Sequence, residues 1–569
     1  MAKILLTPYW VEIKASATEP AFINLISHVS GIHAVRQRDT YRCSRALLPD
    51  VLFYLRGVCS PDDLPDGAAK DALVAEYTRR TTTAELKQHG TDKEWPGLWG
   101  HQNLGVALAE VNDRYNFFYD TRTGKTRMAY QIMLNALKAG KIKRCIVFTK
   151  STIVKSWLED AKQFPELKVV AFYGNSNDKM RALQQPSHVV IWSSGMISNY
   201  YELIKSIKFD MCFFDESSAM KSHRSKVSQL MMEYSLTVPY WYNLSATPAP
   251  NGEHEYYVQM RTVDPYAFNP ARTHFVTKYF INTSNKKEYE KLTIHPAMKQ
   301  EFMDIVESRS IYVDQKVMPT AGKEWHTVPF RLHPDTYEIY ENMRMDLAVE
   351  AEGTIITADT AAAMRAKLQQ IVSGFIMDTD AIRENAAMRR IKLPQEQQEV
   401  YVLSSYNARI HCLDKLLNDE LAGEKVVIWA NYSAEFRMIQ DYLGDKCRVI
   451  RGGCSIKDKE AFIDMFKHGS LQYLVCHPLS VGMGINLTES CNEVYYSIND
   501  SWEALKQSSE RIAGHINIQP RKCHYWVLQA QSPSGDALVD TLVYKNVSNK
   551  RDASTGFLDY LKAGVLNGT

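Results

Sequence analysis

The stretch that most constrains this chain is Asn116-Phe117-Phe118-Tyr119-Asp120-Thr121-Arg122-Thr123-Gly124-Lys125-Thr126, a short apolar run that passes through a polar turn into Gly-Lys-Thr. An apolar run of this length reads as a buried strand, and the residues after it read as a helix. Met128, Ile132, Met133 and Ala136 recur on one helical face, and Gly140 supplies a stop. Strand, glycine turn and helix in this order form a phosphate-binding loop. Backbone amides at the helix N-terminus cradle an anion, the lysine reaches the outer phosphates, and the threonine hydroxyl ligates magnesium. Thr123, Gly124, Lys125 and Thr126 are therefore candidate nucleotide-binding residues. Arg122 stands at a position where such loops favour glycine, since a side chain there crowds the approach of backbone to phosphate.

Two further apolar runs end in polar residues. Met211-Cys212-Phe213-Phe214 delivers Asp215 and Glu216, and Tyr242-Asn243-Leu244 delivers Ser245-Ala246-Thr247-Pro248. Carboxylates at the C-terminal end of a buried parallel strand lie at the ligand-binding edge of the sheet. In phosphoryl transfer, the first acid holds magnesium and a neighbouring carboxylate orients the attacking water. Taken singly, each motif also fits an ordinary strand-end turn; three in one α/β segment make a site.

The order of motifs resembles the superfamily-two helicases, in particular their Swi/Snf-like branch of DNA translocases, over most of the chain. Leu98-Trp99-Gly100-His101-Gln102 is similar to that family's adenine-recognition segment, which makes Gln102 the matching glutamine. Cys145 to Lys150, followed by Trp157, resembles the first nucleic-acid-contact motif, and Val189 to Ser194 the strand before a second one. The second half repeats the architecture. Lys425 to Ala430, Tyr473 to Cys476 and Val494 to Tyr496 read as buried strands, and Ser480-Val481-Gly482-Met483-Gly484-Ile485-Asn486-Leu487 is similar to the family's glycine-rich fifth motif. Gln507-Ser508-Ser509-Glu510-Arg511 resembles the entry to the sixth motif. The family carries a second arginine three residues on; this chain has Gly514 there, followed by His515. Loss of such an arginine costs on the order of 10³-fold in rate. Arg511 alone, or Arg521 swinging in, are the substitutes the sequence offers.

The resemblance implies an α/β fold with two RecA-like parallel-sheet motor lobes, a helical insertion and a small N-terminal α+β accessory domain. The expected divisions are 1–94 for the accessory domain, with a substrate-recognition role, 95–275 for the first lobe, 276–398 for a mainly helical insertion, 399–545 for the second lobe and 546–569 for a tail. Within the insertion, Val317-Met318-Pro319, Tyr337 and Tyr340, and Lys367 to Phe375 are similar in order to that branch. By the same resemblance the cofactors are ATP and magnesium, with the nucleotide between the lobes. Gln102, Thr123 to Thr126 and Gly484 bind nucleotide, Thr126 and Asp215 hold the metal, Glu216 positions water, and Arg511 stabilises charge from the facing lobe. Ser245 and Thr247 couple the two activities. Thr149, Lys150, Ser193, Asn431, Ser480 and Asn486 contact nucleic acid.

Composition agrees with this reading. A chain of 569 residues exceeds one core, and 23% charged with 45% hydrophobic residues is an ordinary globular balance. No apolar run spans a bilayer, Met1 to Leu6 is too short for a secretory signal core, and the ten cysteines show no zinc spacing and read as reduced core thiols, so the expectation is a cytoplasmic protein of a bacterium or phage-infected cell, with no membrane partner. Net charge is only +2. A local cluster of Arg36, Arg38, Arg42 and Arg45 with Tyr41 suits phosphate contact and stacking, and equally suits a solvated hairpin. A monomeric DNA-stimulated ATPase that acts on duplex or branched DNA in replication or recombination, with proteins of those processes as partners, is the reading carried forward. Two alternatives stay open: a nucleic-acid-binding module whose motor has weakened at Arg122 and Gly514, and the motor subunit of a restriction or defence complex.

Overall fold

The structure is a computed structural model that describes all residues except 1–2, 8–9, 30, 36, 38, 56–67, 283–291, 347, 352–353, 358–360, 378–399, 404–405, 479, 481–484 and 549–569. Most of the tail expected at 546–569 lies outside the described residues. The chain divides into two units, one holding Met1–Val317 and the other Met318–Asp552.

In the first unit, seven parallel strands form one sheet in the order Ser310–Val313, Arg114–Tyr119, Tyr240–Leu244, Met211–Asp215, Cys145–Thr149, Val189–Ser193 and Val169–Phe172. Four of the five inner strands are buried from end to end, as expected of apolar runs covered by helices on both faces. Arg114 opens the strand that feeds the phosphate loop, and its buried guanidinium donates to the main-chain carbonyls of Ser235, Val238, Thr262 and Val263. Two of these are at the end of the helix Tyr256–Val263 and one follows the helix Lys226–Tyr234. A cation at helix C-termini meets both the dipoles and the orphan carbonyls there.

Ahead of this sheet, Lys3–Leu6, Trp10–Lys14, Thr40–Ser44 and His33–Ala34 form a small antiparallel sheet with the helix Pro20–His28 packed through Phe22 and Leu25. Buried polar groups fasten it to the large lobe. The Ser44 hydroxyl donates to Asp264, whose carboxylate also pairs with Arg309 at 3.5 Å. Arg42 pairs with Glu12 at 3.0 Å, donates to the Tyr266 hydroxyl at 3.2 Å and lies over the Trp10 ring. Tyr41 packs against Phe22. Arg42 and Tyr41 are thus engaged within the chain and not held out as a nucleic-acid patch; Arg36 and Arg38 lie outside the described residues.

In the second unit, six parallel strands run in the order Lys323–Arg331, Cys523–Gln531, Asn492–Tyr495, Val426–Trp429, Tyr473–Cys476 and Cys447–Ile450. The fully buried Arg409 pairs with Asp540, donates to the Tyr496 carbonyl at 2.6 Å and packs against the Phe330 and Tyr496 rings. Residues 276–398 are distributed differently from a single helical insertion. Ser310–Val313 completes the first sheet beside the phosphate-loop strand, and Lys323–Arg331 forms the edge of the second over nine paired residues. Backbone ladders, which each strand needs to satisfy its amides, take precedence over the charged helical pattern around them.

Glu493 lies on a central strand of this sheet, accepting from the Tyr495 hydroxyl at 3.1 Å, and burial pushes its carboxyl up to about 8. The folded form keeps this proton where the unfolded chain has released it, so the stabilisation is full below about pH 4.3 and is lost as pH rises toward 8. Glu493→Gln should flatten the pH dependence of the second unit's melting between pH 5 and 8, measured by calorimetry; slopes equal to those of the native protein would refute the assignment.

Candidate nucleotide site

The register of the first sheet brings the polar strand ends together. Phe117 is level with Leu244 and Leu244 with Asp215, while Phe214 is level with Phe148 and Thr149 with Ser193. The phosphate loop, the acid pair and the Ser-Ala-Thr segment therefore leave the sheet at its C-terminal edge, where open α/β sheets bind ligands.

The loop is braced by its own backbone. Thr123 Oγ1 donates to the Asp120 carbonyl at 2.7 Å, and Lys125 Nζ donates to the carbonyls of Tyr119 and Asp120 at 3.0 and 3.2 Å. Gly124 caps the helix Lys125–Lys138 with φ of 75°, and a Cβ there would meet Gln102 Nε2 at 2.0 Å. Gly124 is needed on both counts. Arg122 also adopts a positive φ, 62°, which explains why loops of this kind favour glycine at its position. Gln102 is 1% exposed, and both ends of its amide are engaged: Oε1 accepts from Trp99 N at 2.8 Å, and Nε2 donates to the Thr123 and Gly124 carbonyls. In this structure Gln102 holds the loop; reading an adenine edge requires those bonds to be exchanged.

Asp215 and Glu216 are both buried. Asp215 Oδ2 accepts from Thr149 Oγ1 and from Trp157 Nε1, each at 2.9 Å, and Oδ1 accepts from Glu216 N at 3.1 Å. Thr149, expected as a nucleic-acid contact, is instead a buried donor to the acid, because its strand adjoins that of Asp215. Trp157, expected in the same contact motif, is fully buried as the second donor. Their role was hidden in the sequence, since they come from a neighbouring strand and from the helix Val154–Ala161 after it. Glu216 sits in the left-handed region, φ 56° and ψ 55°, which turns the chain sharply after the strand. Ser245 N donates to the Phe117 carbonyl and Ser245 Oγ accepts from Thr247 N, both at 3.2 Å, so this segment is tied to the phosphate-loop strand. Ser193 is buried, and Lys150 is half-buried.

In the second unit, Arg511 is buried and donates to the Ile485 carbonyl at 3.3 Å, while its own carbonyl accepts from Leu487 N at 2.8 Å. Asn431 donates to the Ser497 carbonyl at 2.9 Å and accepts from Asn499 at 2.9 Å, and Asn486 Oδ1 accepts from Thr488 N at 3.2 Å. These expected nucleic-acid contacts shape loops within their own unit. The Ser480 carbonyl accepts from Lys459, and Gly484 lies outside the described residues. Arg521, the other substitute the sequence offers, pairs at the surface with Glu424 at 3.3 Å and donates to the Glu489 carbonyl. Among the described residues, Glu324, His326 and His524 form one cluster of metal-ligand types. His326 Nε2 and His524 Nδ1 are 3.0 Å apart with ring centroids 5.3 Å apart, so the nitrogens face each other along the line joining the rings. That is an N–H···N hydrogen bond, whereas a shared metal about 2.0–2.1 Å from each nitrogen would lie off the line.

The residues fit a nucleotide triphosphate with magnesium: a glycine-capped helix start, a lysine beside it, and a carboxylate pair at the same sheet edge. Replacing Arg122 by glycine relieves a left-handed side chain worth roughly 1 kcal/mol while loosening the unfolded chain by a comparable amount. Arg122→Gly should therefore melt within about 1 kcal/mol of the native protein, and Arg122→Val should lose about 1–2 kcal/mol, as read by denaturant unfolding. Equal stability of the valine variant would show that the loop relaxes away from this conformation.

Comparison with known proteins matches residues 72–404 to the SNF2-related domain and residues 408–514 to the helicase conserved C-terminal domain. A putative protein, p41, of Acyrthosiphon pisum secondary endosymbiont phage 1 is 22% identical over 427 residues, covering 70% of this chain and 85% of its own. The uncharacterized ATP-dependent helicase YqhH of Bacillus subtilis is 22% identical over 501 residues, covering 82% of this chain and 83% of its own. Among solved structures, the Sulfolobus solfataricus SWI2/SNF2 ATPase core in complex with dsDNA aligns at 17% identity and a TM-score of 0.37, covering 82% of this chain and 95% of that one. With its two family domains matched in sequence order and its nucleotide motifs assembled on one sheet edge, the chain belongs to the SNF2-related family of helicase-type ATPases.

Proposed function

We propose that this protein is a DNA-stimulated ATPase that translocates along duplex or branched DNA in replication, recombination or repair. The observation that carries the reading is the level register of the phosphate-loop, acid-pair and Ser-Ala-Thr strands at one sheet edge. Bound ATP with magnesium supplies the phosphoanhydride and the cation that neutralises its charge. Lys125 and the amides that follow Gly124 bind the phosphates, and Thr126 and Asp215 hold the cation. Thr149 and Trp157 orient Asp215, and Glu216 takes a proton from the attacking water. Ser245 and Thr247 relay the state of the site, Arg511 supplies positive charge during the reaction, and residues 1–94 recognise the DNA structure. No helix among the described residues is long and apolar enough to cross a membrane. The Bacillus relative is named an ATP-dependent helicase and another relative is a phage protein, and both match most of this chain, which favours a bacterial or phage setting.

Lys125→Ala should lower DNA-stimulated phosphate release by on the order of 10²-fold or more in a purified preparation; unchanged release overturns the reading. A weakened motor that binds DNA with little turnover is the second reading, favoured by the left-handed Arg122 and by the engagement of Arg511 with the Ile485 carbonyl. Gly514→Arg tests it directly. On the active-motor reading, turnover changes severalfold at most, whereas a gain on the order of 10²-fold or more marks a site limited by the missing arginine.

A further inference from the structure

The helix Tyr256–Val263 is buried along nearly its whole length, and its one glutamine, Gln259, is 0% exposed. A polar amide in such a place has to find partners, and these are the two loops of the proposed site. Gln259 Oε1 accepts from Ser217 Oγ at 2.6 Å, one residue beyond Glu216. Gln259 Nε2 donates to the Pro248 carbonyl at 2.6 Å, one residue beyond Thr247. A carbonyl can only accept, so the amide NH2 must face Pro248, and its oxygen is left for the serine hydroxyl.

The connection continues into the sheet. The main-chain carbonyl of Gln259 accepts from Asn243 Nδ2 at 3.1 Å, and that same amide donates to Asn116 Oδ1 at 2.8 Å. Asn116 lies on the strand that feeds the phosphate loop, and Asn243 on the strand that ends in Ser245. One buried polar chain thus joins all three motifs, and Gln259 is its branch point. An apolar side chain would fill the space between the loops equally well, but it would let them move independently. A single rigid amide bonded to both fixes their separation, because a shift of Ser217 carries the amide plane and with it the bond to Pro248.

We propose that Gln259 is a positioning residue that couples the acid loop to the Ser-Ala-Thr loop, so that DNA engagement sets the geometry of Glu216. The proposal rests on the reading of the site given above. Its test is steady-state ATP turnover by the full chain with and without duplex DNA, with melting temperature measured in parallel. Gln259→Met keeps the volume and removes both bonds to the loops, together with a third from Nε2 to the Glu255 carbonyl at 3.3 Å; Gln259→Glu keeps the acceptor for Ser217 and loses the donor to Pro248. Both should reduce the DNA-stimulated kcat by about tenfold while the KM for ATP stays within about twofold. Ser217→Ala deletes one hydroxyl without altering the packing of the helix, and should reduce stimulation in the same direction if the core variants fail to fold. Native stimulation in a folded Gln259→Met, or in Ser217→Ala where the former does not fold, overturns the coupling role alone. Absence of any DNA-stimulated turnover in the native protein overturns both this inference and the function on which it rests.

Discussion

The register of four parallel strands is the constraint on which the rest of the first unit depends. Phe117, Leu244 and Asp215 lie side by side, and the next strand brings Thr149 beside the acid. Side chains alternate faces along a strand, so a slip of one residue in Met211–Asp215 would turn Asp215 to the opposite face of the sheet. It would also break the bonds from Thr149 and Trp157 and place an unsatisfied carboxylate among aromatic rings. The apolar runs are long and bulky, and their burial leaves one arrangement in which every polar end reaches the edge.

Buried polar groups act as fasteners in both units. Arg114 holds carbonyls at the ends of two helices against the start of the phosphate-loop strand, and Arg409 holds the Tyr496 carbonyl and Asp540 within the second core. Removing one partner of such a set leaves the other charge in a low-dielectric interior, which is far costlier than losing a surface pair. The same logic applies to Asp215, whose two oxygens are both engaged by protein donors. A carboxylate held on three sides has one fixed orientation.

The sequence made the motif strands legible because each is an apolar run with an abrupt polar end, a signal that needs no long-range information. Gly124, Lys125, Asp215 and Ser245 fall at strand or helix ends as their spacing requires. The strand Ser310–Val313 was not legible as part of the first sheet, since Ser-Ile-Tyr-Val is short and its partner lies nearly two hundred residues earlier. Side-chain commitments were equally hidden. Thr149, Gln102, Asn431 and Asn486 carry residue types that suit ligand contact, and only the tertiary arrangement shows that protein groups take up their hydrogen bonds. Gln259 left one trace, a lone amide among apolar neighbours, which signals a buried partner without naming it.

The fastening of the small antiparallel sheet bears on how the chain can be divided. Asp264 faces Ser44 from the accessory sheet and Arg309 from the lobe, and Glu76 of the long helix Ala68–His89 is paired with Arg79, which in turn donates to Asn112 of the lobe. Cutting the chain near residue 94 would strip Asp264 of Ser44 and Asn112 of Arg79 in an interior built around them. What reads in one dimension as a detachable module is, in energetic terms, part of the lobe's own wall, and a fragment that begins at the first motif gives up these bonds.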